Sequence, residues 1–419
     1  MQRFIGLIGI VVILLIAYGL STDRKKVNFK TIGMALLLQV LFALFIFKVP
    51  VGQLIFLKIG AFIEKLLDFA VQGGNVVFGG LLSDKFTLDY CSGSRIFAVQ
   101  LICSMILMIV LVNILYHYGI MQKVVAFLGK AMNKLMKISG AESLCAVANS
   151  FVGNVTAQIM IKPYLKDLTR SELLTSLTGS LACVSGAMMP VYIKMGIPAV
   201  YVLASSVMAA PGAIAIAKIM YPEDSEPKTG DNAKVEVENT HVNLIDSISA
   251  GASDGMKVAI SITAMILALV ALVAMIDWFL GGIGSFLYYH LHLGLSWLPE
   301  LSLKFILGKI FAIFALIMGV PLQDLTTVGG LIGEKIVLNE VVAYMDLTSI
   351  KHVLTDKSFL IACFALCSFG NVGSIAIQIG GIGELAPNQR KNLARLSLRA
   401  LICGTLSCYL SAAIVGVIL

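Results

Sequence analysis

The sequence predicts an all-α integral membrane protein built from two similar halves, and three observations support this. Of its 419 residues, 58% are hydrophobic and only 13% are charged, and the mean hydropathy of +0.92 exceeds that of ordinary soluble domains. Apolar runs of about 17 or more residues, long enough to cross a bilayer core as helices, recur along the chain. Alternation of apolar and polar residues over about ten positions, the pattern of a transmembrane β-strand, is absent.

The candidate membrane spans extend from one end of the chain to the other. They cover residues 4–20, 31–49, 96–117, 172–195, 198–220, 250–278, 302–320, 357–382 and 392–419. No small-residue cleavage site follows the first run, so we interpret it as a retained helix and not as a signal peptide. The basic cluster in residues 24–30 favours a cytoplasmic loop, which puts the amino terminus outside. We expect a multi-pass protein of the cell membrane with both termini extracytoplasmic.

The charged residues and motifs exclude several classes of function. The formal charge of +7 lies mostly in loops, where it suits membrane topology and lipid headgroups better than nucleic acid. The sequence contains no Gly-Lys-Ser/Thr phosphate loop, so ATP is not the expected driving force. It also offers no nucleophile paired with a base, no metal cluster and no cofactor loop. We therefore predict neither an enzyme nor an organic cofactor.

The order of segments indicates an internal repeat. Two amphipathic stretches, residues 53–70 and 118–138, suit the membrane interface, and a polar linker at 221–246 separates the halves. We divide the chain into scaffold helices at 1–95, a first repeat at 96–220, the linker at 221–246 and a second repeat at 247–419. Each repeat contains a broken apolar hairpin, at 141–166 or 323–347, followed by two spans. Such paired, interrupted segments are typical of secondary transporters.

The first hairpin is interrupted by polar residues in the stretch Ser-Phe-Val-Gly-Asn-Val-Thr-Ala-Gln at 150–158. Backbone that leaves helical geometry at membrane depth must be buried in protein or line a wet cavity. We therefore predict the tip of a re-entrant hairpin at Gly153, with a helix that restarts beyond it and presents its amino-terminal dipole to a ligand. The alternative is a kink in one tilted span.

The second hairpin carries a carboxylate in an apolar run, Glu340 within Asn-Glu-Val-Val-Ala-Tyr at 339–344. Ionisable groups inside the membrane are costly and usually mark a substrate or ion path. The nearest cation in sequence is Lys335, five residues earlier. An ion pair with Lys335, or a carboxyl at the lipid edge, is the alternative to a binding role.

A third cluster, Phe-Gly-Asn-Val-Gly-Ser at 369–374, lies in the middle of a span. Its glycines and asparagine loosen the helix and expose carbonyl groups, as in discontinuous transporter helices, although small residues could instead serve helix packing. Together Glu340, Asn371 and Ser374 offer hydrogen-bonding groups without a basic cluster for an anion. A neutral solute with hydroxyl groups fits them, because a carboxylate makes strong charge-assisted hydrogen bonds. We expect an ion gradient to drive its transport.

The chain resembles the concentrative nucleoside transporters of bacteria over nearly its whole length. The resemblance rests on the motifs at residues 339–344, 364–374, 141–143 and 208–212. It implies about eight transmembrane helices plus two re-entrant hairpins, entering from opposite sides in an inverted repeat, with interfacial helices that include residues 302–320. It also implies a homotrimer in which scaffold helices surround moving transport domains.

The same resemblance assigns roles to individual residues. Glu340, Asn371 and Ser374 match the positions that hold the ribose of the nucleoside, and Phe369 belongs to the same site. The positions that face the base are Gly153, Asn154, Val155 and Thr156. The family usually has Gly-Gln-Thr-Glu there, so the part of the site that contacts the base is altered in this chain.

The resemblance also implies a cation site between the first hairpin and the fourth span. Its positions match Asn149, Val152, Cys183 and Val184. Cys183 stands where sodium-coupled members have a serine, and a thiol is a poor ligand for a hard cation. Sodium is one candidate coupling ion, and a proton carried by the buried carboxyl of Glu340 is the other.

We therefore predict a secondary active transporter that imports nucleosides by sodium or proton symport, through an elevator-like movement of the hairpin domains. The altered tip of the first hairpin leaves two alternatives. One is a transporter of the same fold for an unusual nucleoside-like solute. The other is a membrane gate or sensor that transports nothing.

Overall fold

The computed structural model describes residues 2–82, 96–229, 242–289 and 297–419. These residues form α-helices joined by loops and short 3-10 turns, and none of them lies in a β-strand, which confirms the all-α fold. The helices are α1 (Gln2–Gly19), α2 (Phe29–Phe47), α3 (Pro50–Phe78), α4 (Phe97–His117), α5 (Ile120–Met136), α6 (Gly140–Phe151), α7 (Asn154–Met160), α8 (Lys162–Leu165), α9 (Arg170–Ala182), α10 (Met189–Lys194), α11 (Ala199–Met220), α12 (Leu244–Tyr289), α13 (Leu303–Ile317), α14 (Leu325–Val337), α15 (Glu340–Ser349), α16 (Asp356–Leu366), α17 (Val372–Leu385) and α18 (Arg390–Ile418).

Within the described residues, five helical segments are long and apolar enough to cross a membrane. They are Phe29–Phe47, Phe97–His117, Ala199–Met220, Leu244–Tyr289 and Pro387–Ile418. The last is α18 together with the short 3-10 turn that precedes it. Helix α13 has only 15 residues, fewer than the ~20 that a bilayer core requires. Its length suits the expected interfacial position of residues 302–320.

Helices α4 and α12 pack along each other through a row of small residues on α12. Ser247, Gly251, Gly255 and Ala259 recur every four residues and are buried. A Cβ atom on Gly255 would lie 2.6 Å from Cα of Ile106, so the two backbones approach as closely as glycine allows. Helix α12 has 46 residues, which is ~69 Å at the helical rise and about twice the thickness of a bilayer core.

Helices α11 and α18 lie inside the molecule, where 78% of each spanning window is buried. A buried amide connects them to α2, because Gln39 Nε2 donates to Ser411 Oγ at 2.8 Å and to the Met208 carbonyl at 3.3 Å. Hydrogen bonds of this kind join helices in an apolar environment. Among the shorter helices, α6, α9, α10, α16 and α17 pack against this centre.

Both predicted hairpins are present as helix–break–helix segments. Helix α6 ends at Phe151 and α7 begins at Asn154, while α14 ends at Val337 and α15 begins at Glu340. Asn339 caps α15, since its Oδ1 accepts from the Val342 amide at 2.9 Å. Each hairpin arm is thus too short to cross a bilayer by itself.

Two further helices are interrupted beside the hairpins. The expected loosening at residues 369–374 is a break between α16 and α17. Residues 172–195, which hydropathy predicts as one continuous span, are also interrupted, because α9 ends at Ala182 and α10 begins at Met189. The prediction of an unbroken span was therefore wrong. The carbonyl of Leu181 lies 3.5 Å from the position of a Cβ on Gly370, so the two breaks are neighbours.

The base of each hairpin is held by a buried acidic residue. In the first, Glu142 forms an ion pair of 2.5 Å with Lys218 of α11. In the second, Asp324 accepts hydrogen bonds from the hydroxyls of Ser358 at 2.5 Å and Thr355 at 2.8 Å. Burial alone would raise the pKa of the Asp324 carboxyl, but these donors and the Thr355 amide lower it overall.

Candidate functional site

A cavity of about 1420 Å³ opens between the two hairpin tips and the scaffold pair α4 and α12. This exceeds the ~300–1,000 Å³ of typical small-molecule pockets. Six of the residues predicted for the substrate site line it: Gly153, Thr156, Glu340, Phe369, Asn371 and Ser374. Residues separated by more than 200 positions in sequence thus converge on one space.

Glu340 lies at the first position of α15, beside the break in the second hairpin. Its side chain is 3% exposed, and both carboxylate oxygens have donors. The Tyr192 hydroxyl donates to Oε1 at 3.1 Å, and the Asn371 Nδ2 donates to Oε2 at 3.3 Å. These contacts hold the carboxylate at the cavity wall, where its remaining lone pairs can accept hydrogen bonds from a ligand.

Asn371 connects the carboxylate to the start of α17. Its Oδ1 accepts from the Ser374 amide at 2.8 Å and from the Ser374 hydroxyl at 3.0 Å, which makes it the amino-terminal cap of that helix. The amide group is thereby oriented with its Nδ2 toward Glu340. The helix break therefore positions Glu340, Asn371 and Ser374 as one hydrogen-bonded cluster.

Tyr192, which the sequence analysis did not identify, completes this cluster. It is fully buried in the short helix α10, and its ring lies 4.7 Å from that of Tyr344. The Tyr344 hydroxyl in turn donates to the Cys363 carbonyl at 2.7 Å. Tyr192 and Glu340 are 148 residues apart, on either side of the predicted linker, so this hydrogen bond joins the two halves of the chain at the cavity.

Lys335 does not form the ion pair considered from the sequence. The described residues contain no salt bridge between Lys335 and Glu340, and the Lys335 Nζ has no hydrogen-bond partner among them. Glu340 is also not at a lipid edge, because it is buried at the cavity wall. The structure thus places Glu340 at the cavity wall, without a contact ion pair to Lys335.

The first hairpin tip faces the same cavity. Gly153 adopts a φ of +99°, and a Cβ there would lie 2.5 Å from Cβ of Ser185, so both conformation and space require glycine. Thr156 lines the cavity and is exposed to it. Asn154 and Val155 begin helix α7, and their side chains lie outside the described part of the chain.

The residues expected around a cation lie where the first hairpin meets the break after α9. Asn149, Cys183 and Val184 are buried, and Val152 reaches the cavity. The tip is tied to the break by the Gly186 amide, which donates to the Phe151 carbonyl at 3.0 Å. Asn149 offers an oxygen in this region, and its Oδ1 already accepts from Ser180 Oγ at 2.9 Å.

The hydrogen bond from Tyr192 to Glu340 gives a first testable expectation. A Tyr192→Phe variant is expected to take up nucleoside with an apparent affinity weaker by about tenfold or more, because hydrogen bonds to charged groups contribute about 1.5–3 kcal/mol. Initial uptake rates at varied nucleoside concentration measure this.

Tyr409→Phe is the matched control for that variant. Tyr409 is equally buried, but its hydroxyl has no hydrogen-bond partner among the described residues. Its removal should leave the apparent affinity unchanged. Equal apparent affinities of the Tyr192→Phe and Tyr409→Phe variants would show that Tyr192 does not orient the carboxylate of Glu340.

Three protein-family profiles together match most of the chain. The profile described as "Na+ dependent nucleoside transporter C-terminus" matches residues 201–416, and that described as "Na+ dependent nucleoside transporter N-terminus" matches residues 8–81. A third, described as "Gate: Nucleoside recognition", matches residues 98–199. The first alone covers half of the sequence.

Individual relatives match over nearly their full length. An uncharacterized transporter of Bacillus subtilis, YutK, is 38% identical over 98% of both chains. The nucleoside permease NupC of Helicobacter pylori is 35% identical over 98% of this chain and 96% of its own. The solved structure of CNTnw in an inward-facing, substrate-bound state has a TM-score of 0.92 at 36% identity, covering 100% of this chain and 98% of that one. A CNTnw variant in an outward-facing state has the same TM-score at 35% identity and the same coverage.

Proposed function

Since the chain belongs to the concentrative nucleoside transporter family, we propose that it imports nucleosides across the cell membrane by cation symport. The observation that supports this most directly is the cluster of Glu340, Asn371 and Ser374 on the wall of a cavity shared by both hairpin tips. A buried carboxylate flanked by an amide and a hydroxyl suits the vicinal hydroxyls of a ribose. Members of the family are transporters, and the proposal involves no enzymatic step.

The two ends of the cavity have different roles in this proposal. Glu340, Asn371 and Ser374 bind the ribose, and the ring of Phe369, which lines the cavity, supplies an apolar surface for the nucleoside. Gly153, Asn154, Val155 and Thr156 face the base. Since their sequence departs from the usual Gly-Gln-Thr-Glu, the preference among bases should differ from that of relatives that keep it.

The coupling ion is sodium or a proton. Sodium would use Asn149 together with the backbone carbonyl groups of Val152 and Val184, because hard cations prefer oxygen ligands. Cys183 weakens such a site, since its thiol is a softer ligand than a serine hydroxyl. The carboxyl of Glu340 is the group that would carry a proton instead.

The proposed movement is that of an elevator. The hairpins, the broken helices and the helices at the centre of the molecule would carry the nucleoside past the scaffold formed by α4 and α12. Relatives of this fold have been solved facing inward and facing outward, which supports such a movement. We further propose a homotrimer with both termini on the extracytoplasmic side.

The experiment that tests this function is uptake of labelled uridine and adenosine into proteoliposomes. A sodium gradient and a proton gradient are imposed in separate experiments, with protein-free liposomes and a dissipating ionophore as controls. Accumulation above the external concentration, dependent on one of the two gradients, is the expected result and identifies the ion. Folded protein that accumulates neither nucleoside under either gradient would rule out the proposal, and would favour another solute or a gate without transport.

A further inference from the structure

The second repeat contains a buried lysine that the proposed transport cycle does not use. Lys335 is 0% exposed, and its Nζ has no hydrogen-bond partner among the described residues. An isolated ammonium is strongly hydrated, and its transfer into a protein interior costs several kcal/mol unless nearby negative charge offsets it. Lys335 stays charged there only where its surroundings supply that negative potential, since burial by itself favours the neutral amine.

Three sources of negative potential converge on Lys335. It lies in the last turn of its own helix, α14, where the carboxyl-terminal end of the helix dipole favours a cation. Helix α16 packs against α14 and ends at Leu366, where Cys367 is the cap, so its carboxyl-terminal end adds a second negative dipole end. The third source is the carboxylate of Glu340, which begins the next helix just beyond the Leu338 cap.

The first repeat has the same arrangement with an asparagine in place of the lysine. Helix α6 is capped by Val152 and α14 by Leu338, so Asn149 and Lys335 both stand three residues before the cap. Helix α9, which packs against α6, ends at a capping Cys183 just as α16 ends at Cys367. In both repeats, the carboxyl-terminal ends of two helices meet beside a hairpin break.

From this correspondence we infer that the Lys335 ammonium is a covalently tethered cation, occupying in the second repeat the position that the proposed coupling cation takes in the first. The inference rests on the proposed cation site around Asn149. Helix ends that converge create a site for positive charge whatever its source. In the first repeat Asn149 is neutral and leaves that charge to an exchangeable ion, whereas Lys335 supplies it permanently.

The test removes the ammonium and offers a replacement from solution. The full-length protein, its Lys335→Ala variant and a Lys194→Ala control are purified, and thermal unfolding is followed with increasing methylammonium chloride. Lys194 forms an ordinary ion pair with Asp68 at 3.5 Å on the surface. Tetramethylammonium chloride, too large for the vacated space, controls for ionic strength.

We expect Lys335→Ala to unfold at a lower temperature than the unmodified protein, and methylammonium to restore much of the difference. The unmodified protein and Lys194→Ala should respond no more to methylammonium than to tetramethylammonium. If the two alanine variants responded equally to methylammonium, no cation site would have been vacated and the inference would be wrong.

A second pair of variants covers the case in which Lys335→Ala does not fold. Lys335→Arg keeps the charge and Lys335→Gln removes it at similar length. The inference requires the arginine variant to be the more stable of the two. A glutamine variant as stable as the arginine variant would show that the charge is not needed.

Nucleoside binding separates this inference from the proposed function. In Lys335→Ala, methylammonium should raise uridine affinity about tenfold, a typical coupling between two sites. Absence of uridine and adenosine binding to the unmodified protein would contradict the proposed function, while the unfolding measurements would still decide the role of Lys335.

Discussion

Glu340→Gln is expected to lower nucleoside uptake by ~100-fold or more, because each hydrogen bond to a charged group contributes about 1.5–3 kcal/mol and the substitution affects at least two of them. Glutamine has nearly the same shape, but one carboxylate oxygen becomes an NH₂ group. Both oxygens of Glu340 now accept hydrogen bonds, from Tyr192 and Asn371. In the variant, only one oxygen would remain to accept from these two donors, and the charge available to a ribose would be lost. Initial uptake rates in proteoliposomes measure the effect.

Glu384→Gln is a suitable control for that substitution. Glu384 lies on α17, the helix that begins beside Asn371, but it is exposed and does not line the cavity. Its replacement should leave uptake within a factor of two or so, since surface substitutions usually change little. If the Glu340→Gln variant took up nucleoside as fast as the Glu384→Gln variant, Glu340 would not be part of the binding site.

Lys218→Met is expected to destabilise the protein by about 3–5 kcal/mol, because it leaves a buried carboxylate without its partner. Lys218 Nζ lies 2.5 Å from Glu142 and 3.0 Å from Glu223, and the Glu142 side chain is only 1% exposed. Glu142 also accepts from the Ser139 amide at 3.2 Å in the capping box that begins the first hairpin. Loss of the pair should therefore loosen the base of that hairpin, seen as a lower midpoint of thermal unfolding.

A surface pair provides the comparison for Lys218. Lys228 and Asp167 lie 3.0 Å apart, with side chains 72% and 41% exposed, and such pairs contribute ~1 kcal/mol or less. Lys228→Met should therefore barely change the midpoint. The double variant Lys218→Met/Glu142→Met should recover part of the loss, because the only carboxylate it leaves without Lys218 is that of Glu223, whose side chain is 25% exposed to solvent. A Lys218→Met protein as stable as Lys228→Met would contradict the structural role assigned to the buried pair.

The sequence predicted the part of the site around Glu340 and Asn371 better than the part contributed by the chain before the linker. Glu340 and Asn371 stand out because a carboxylate and an asparagine are rare in apolar runs and each lies beside a break. The break after α9 was missed, since the residues that form it, at 183–188, are mostly apolar and include a single glycine. Hydropathy measures transfer into lipid and does not register a backbone that departs from helical geometry inside protein.

Tyr192 shows a different limit of sequence analysis. It lies in an apolar stretch, 148 residues from its hydrogen-bond partner Glu340, and nothing in its neighbourhood distinguishes it from a core tyrosine. Its role follows from tertiary packing, which brings α10 against the second hairpin. The span predicted at 250–278 is likewise shorter than α12, which begins at Leu244 and continues through Gly281 and Gly282 to Tyr289.

The close packing of α4 on α12 has a mechanical consequence. Where Gly251 and Gly255 bring the backbones into contact, there are few side chains whose rearrangement could absorb a displacement. The pair should behave as one rigid, stationary unit. The hairpin tips should move relative to it, on the other side of the cavity that separates them. Bulky substitutions at Gly251 and Gly255 would displace α4 relative to α12. They would slow the movement of the hairpins without altering any residue that binds the nucleoside.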